Sequence, residues 1–108
     1  MYEKDALALA NEVAAETGDY WKDYRYSERH GGKAIIIAGH DIIADNLYDG
    51  KHARLMAMHD PATVRALCKA VALMRVIADW DIDALPREDR YLCDMARVTI
   101  AEIDAVTK

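Results

Sequence analysis

Apolar residues in the opening stretch of the chain recur every three or four positions, at Ala6, Leu9, Ala10, Val13 and Ala14. That spacing matches the turn of a helix and predicts an amphipathic helix over residues 3–17. Glu3, Lys4, Glu12 and Glu16 suit its solvent side, and Gly18 suits its C-terminal cap. The period then shortens. Residues 20–26 alternate and are rich in aromatics, and residues 33–38 form a short β-branched run. Gly39-His40 reads as a tight turn, and residues 41–47 form a further apolar segment. Apolar runs joined by a short glycine-containing turn signal a hairpin, so this region predicts a three-stranded antiparallel meander with one face packed on helices.

Helical spacing returns in the second half. Residues 49–59 predict a short helix that starts near Asp49 and turns Leu55 and Met56 inward. Asp60-Pro61 is a start signal: aspartate accepts hydrogen bonds from free backbone N–H groups, and proline suits the first helical position. The helix expected over 61–80 carries two apolar stripes. One comprises Val64, Leu67, Cys68, Val71 and Met74; the other comprises Ala66, Leu73, Ile77 and Trp80. A helix apolar on two sides belongs in a core or an interface. Asp79 to Asp83 ends it, and Leu85-Pro86 leads into a last helix reaching Val106. Leu92, Met95, Ala96, Thr99, Ile103 and Val106 are expected on its inner face. The fold class is therefore α+β, a small three-stranded antiparallel sheet packed against four helices in the order α-β-β-β-α-α-α.

At 108 residues, with 53% hydrophobic and 31% charged, the chain suits a single domain spanning 1–108. The net charge of −5 disfavours direct binding to nucleic acid, which depends on clustered lysine and arginine. The two cysteines, Cys68 and Cys93, sit among apolar residues and are expected as reduced thiols, with a single disulfide between their helices as the alternative. No signal-peptide pattern opens the sequence and no apolar run nears the ~20 residues of a membrane span. A cytoplasmic location without membrane contact is expected.

Catalytic chemistry finds little support in the spacing. His30, His40, His52 and His59 form no metal-ligand motif with each other or with the cysteines. Asp79, Asp81 and Asp83 occupy the first, third and fifth places of a calcium loop. The glycine and glutamate required later are replaced by Ala84 and Arg90, so the pattern fails where the geometry is strictest. Ser27 lacks a nucleophile-elbow setting, and Gly31-Gly32 lacks the rest of a phosphate loop. The expectation is a non-enzyme with no cofactor, no metal and no catalytic residue.

Two surfaces suit protein binding. On the aromatic strand, alternation puts Tyr20, Tyr24 and Tyr26 on one side and Trp21 and Arg25 on the other. Whichever side faces away from the helices displays aromatic groups beside charges, as binding hot spots do. The acidic corner of Asp79, Asp81 and Asp83, continued by Glu88 and Asp89, suits a basic partner surface.

The residues from Trp21 through the Ile35-Ile36-Ile37 and Ile42-Ile43 strands, Asp49 to Met58, and Asp60-Pro61-Ala62-Thr63-Val64 with Leu67 resemble the pattern of small phage and prophage accessory proteins, including the Ead-like group. The resemblance covers residues 21–75 and leaves the final helix without a counterpart. It implies a phage origin, carries no catalytic residues, and implies a protein that binds host machinery. Inhibitors of CRISPR defence share its size class and acidity. The expected partner is thus a host protein complex, including one that handles nucleic acid. The alternative is a structural or regulatory homo-oligomer, such as a homodimer, with helix 61–80 packed against its own copy.

Overall fold

The computed structural model describes residues 1–25, 34–47 and 50–107. In order they form α1 (Tyr2–Thr17), β1 (Lys22–Arg25), β2 (Ala34–Ala38), β3 (Asp41–Leu47), α2 (Gly50–Ala57), α3 (Pro61–Ala78), a short 3-10 turn (Ile82–Ala84) and α4 (Arg87–Val106). The class is α+β, with a three-stranded antiparallel sheet and the expected order of elements. The chain divides into two compact units. One is Leu7–Arg65; the other combines Met1–Ala6 with Ala66–Lys108.

In the unit Leu7–Arg65 the sheet order is β1-β2-β3, a meander joined on one side by the two-residue turn Gly39-His40. Gly39 takes φ +61, the left-handed backbone that such turns require and that glycine adopts without strain. Ala34 and Ile36 of the central strand meet Ala53 and Ala57 of α2, and Trp21, Ile43, Ala44 and Leu47 pack around them. Strict alternation would not allow the adjacent Ile43 and Ala44 to join one core. Register irregularities between β2 and β3 change the facing locally, as bulges do.

Two details differ from expectation here. β1 begins at Lys22, so Tyr20 and Trp21 precede the strand. The inner face of α2 consists of Gly50, Ala53 and Ala57, while Leu55 and Met56 are exposed. Small residues let the helix approach the sheet closely, and the larger ones are turned outward. Asp60 holds the entry to α3 with both carboxylate oxygens. Oδ1 accepts the Thr63 N–H at 2.9 Å and Oδ2 accepts the Trp21 N–H at 3.2 Å. Trp21 Nε1 donates to Thr17 Oγ1 at 3.1 Å, and Arg65 forms an ion pair with Asp19.

In the other unit, α3 and α4 bury mainly small side chains: Cys68, Val71, Cys93 and Ala96. Ala96 of the expected inner face is buried and Thr99 and Ile103 are half-buried, but Leu92, Met95 and Val106 lie in solvent. Close packing over small residues leaves no room between the helices for the larger ones. Glu3 also departs from expectation. It is only 4% exposed and pairs with Arg75, which reaches Glu3 Oε2 at 3.0 Å and Asp104 Oδ1 at 2.7 Å. A buried carboxylate is tolerated because this guanidinium satisfies it. Both cysteines are free and buried. Burial, and then the charge of Glu3, push the Cys68 thiol above its usual range, which keeps it protonated and unreactive at neutral pH.

Candidate functional site

α3 ends at Ala78, and the chain turns through Asp79, Trp80 and Asp81 before the 3-10 turn. The Asp79 N–H still bonds the Arg75 carbonyl at 3.1 Å, and the Trp80 N–H bonds the Ile77 carbonyl at 3.2 Å. Asp81 then acts as a cap. Its Oδ1 accepts the Asp83 N–H at 3.2 Å, and its carbonyl accepts the Ala84 N–H at 3.1 Å. The acidic sequence thus forms a turn for a local reason: a short acidic side chain satisfies the backbone donors that a helix start leaves open.

Two arginines of α4 hold this turn from below. Arg97 donates to the carbonyls of Ala78 and Trp80 at 2.9 and 3.0 Å. Arg90 donates to the Leu85 carbonyl at 3.1 Å. A cation at the last carbonyls of α3 also suits the negative end of that helix. Because both guanidinium groups are directed at backbone oxygens, they leave the aspartate side chains unneutralised. Among the described residues, Asp79, Asp81 and Asp83 form no ion pair, and all three are exposed. Trp80 lies between the first two and is 38% exposed. The turn therefore offers an aromatic side chain next to exposed carboxylates on a backbone held by hydrogen bonds.

The tyrosine surface is only partly described. Tyr20 and Tyr24 are exposed, at 75% and 57%, while Tyr26 lies outside the described residues. Trp21 packs on the α2 core, so the outward-facing aromatics are the tyrosines. In β1, Tyr24 pairs with Ile35, and Asp23 pairs with Ile36. Asp23 accordingly lies on the α2 side, in a groove with Gly50, Lys51 and Arg54. The tyrosines belong to the unit Leu7–Arg65 and the aspartates to the other.

His30, Gly31, Gly32 and Asp49 lie outside the described residues. His59 Nδ1 is 2.8 Å from the Leu55 carbonyl, a local contact at the end of α2. Among the described residues, no group of three or more metal-ligating side chains converges, and no helix is long and apolar enough to cross a membrane. Sequence reasoning marked the acidic residues and Arg90 among them, but it did not foresee that Arg90 and Arg97 bind the backbone carbonyls of the turn. The general preference for cations near helix C-termini was the available signal, but nothing in the spacing shows which helix end an arginine on α4 will reach. Comparison with known proteins leaves the geometry to stand by itself: no protein family, curated protein or solved structure matches this chain.

Proposed function

We propose that this protein acts by binding another protein, and that the acidic turn Asp79–Asp83 is the contact surface. The observation that supports this reading is the exposed Trp80 flanked by unpaired aspartates on a backbone held by Arg90 and Arg97. A rigid aromatic anchor costs little ordering entropy on binding, and tryptophan is among the residues that dominate interface energies. The surrounding carboxylates select a basic partner surface and speed encounter with it. The resemblance of residues 21–75 to phage accessory proteins supports a host complex as that partner, including one whose basic groove handles nucleic acid. Inhibition of a host defence complex such as CRISPR follows as the proposed role in the cytoplasm.

The test separates charge from fold. Asp79→Asn, Asp81→Asn and Asp83→Asn together remove the negative charge while an asparagine at 81 still caps the 3-10 turn. The triple variant is expected to bind the host complex at least about tenfold more weakly, and Trp80→Ala is expected to match it. Wild-type binding is expected to weaken as salt rises. Unchanged affinity in the triple variant would remove the acidic turn from the account.

A further inference from the structure

A cleft of about 300 Å³ opens beside the acidic turn, lined by Met1, Arg75, Val76, Ala78, Asp79 and Ile100. All six residues belong to the unit that holds α4. That volume is at the lower end for ligand pockets and suits one side chain better than a cofactor. Met1, Val76 and Ile100 give it an apolar lining, and the first two are exposed. Arg75 is already engaged. Its Nε and Nη2 donate to Glu3, and its Nη1 and Nη2 donate to Asp104. The terminal amine of Met1 also acts on both carboxylates, so two cations balance two anions. Ala78 closes α3, and Arg97 takes its carbonyl at 2.9 Å. Asp79 is the charge left over. It is exposed and, among the described residues, forms no ion pair.

We propose that this cleft takes one long basic side chain, lysine or arginine, from the protein partner. Such a side chain has two parts with opposite needs: an aliphatic stem that gains by leaving water, and a cation that has to stay solvated or paired. The cleft meets both. Met1, Val76 and Ile100 receive the stem, and Asp79 receives the cation while remaining in contact with water. An acidic side chain is repelled by Asp79. A purely apolar one draws water away from that carboxylate and gives it no partner. The proposal rests on the binding function for its partner, and it divides the work of the acidic turn. Asp79 acts inside the cleft, whereas Trp80 is not among its lining residues.

Amide NMR spectra of the full chain, titrated with a single blocked amino acid, test the cleft without the partner. The probes are the Nα-acetyl methylamides of lysine, arginine and norleucine. Lysine and arginine are expected to give saturable shifts at Val76, Ala78, Asp79 and Ile100, with Kd in the millimolar range for ligands this small. Norleucine, which has the stem without the cation, is expected to bind at least about fivefold more weakly. Asp79→Asn is expected to weaken lysine binding by the same factor. Val76→Trp places a large ring in the cleft and is expected to abolish the shifts, with helical circular dichroism unchanged. Lysine that binds no better than norleucine, or binding indifferent to both substitutions, overturns the proposal. The two readings fail separately. If lysine does not bind but the triple asparagine variant still loses the host complex, only the cleft is wrong. If lysine binds in the cleft but the triple variant keeps the host complex, the acidic turn is not the contact surface and the cleft still stands as a site for a basic side chain.

Discussion

Three carboxylates connect this fold to pH. The Arg75 guanidinium holds Glu3 and Asp104 below the usual carboxylate range by donating hydrogen bonds to both. Burial pushes Asp60 up, but the N–H groups of Thr63 and Trp21 outweigh it and the net shift is downward. Each group therefore binds its proton less tightly in the folded chain than in the unfolded one. Their contribution is fully present above the unfolded values near about 4, and it is lost as pH falls through the lower folded values. Urea unfolding is expected to show stability level from about pH 7 to about pH 5 with respect to these groups and falling below about pH 4. A midpoint that stays constant down to pH 3 contradicts this. Asp60 also serves as a cap, so Asp60→Ala is expected to cost about 1–2 kcal/mol at neutral pH. Asp60→Asn, which keeps an acceptor oxygen, is expected to cost less.

At the scale of elements, side-chain size decides which face of a helix turns inward. Ala53 is fully buried in α2 against Ala34 and Ile36, whereas Leu55 is exposed. Ala53→Leu is expected to force the helix off the sheet at a cost of about 1–3 kcal/mol. Leu55→Ala is expected to change stability by no more than about 0.5 kcal/mol, so equal costs in chemical denaturation would contradict the assigned face. The same contrast marks what was legible in the sequence. Periodicity located α1, α2, α3 and α4 to within about two residues, as terminal fraying allows, and Gly39-His40 located the hairpin. Facing was less legible, because a helix with apolar residues over a wide arc offers several inner faces. Close approach over Ala53 and Ala57, or over Cys93 and Ala96, is a tertiary choice that favours the smallest residues. The bulged register of β3 and the burial of Glu3 under Arg75 likewise depend on partners far away in sequence.

At the scale of the whole chain, the proposed binding role rests on charge. The net charge is −5, and Asp79, Asp81 and Asp83 lie on the turn that carries Trp80, held by arginines bonded to backbone carbonyls. Asp79, Asp81 and Asp83 were legible as a group from their spacing. Their exposure was not, because it depends on Arg90 and Arg97 being directed at carbonyls rather than at carboxylates. The tyrosines at 20 and 24 were legible as an exposed aromatic side once Trp21 was known to pack on α2. The central claim, that the acidic turn binds a host complex, is tested most directly by affinity capture from bacterial lysate. Tagged wild-type protein and the triple variant Asp79→Asn, Asp81→Asn, Asp83→Asn are compared side by side, with captured proteins identified by mass spectrometry. The account expects one stoichiometric host complex on the wild type, released by salt and absent from the variant. Recovery of the same proteins on both, or of the bait alone on the wild type, would contradict it.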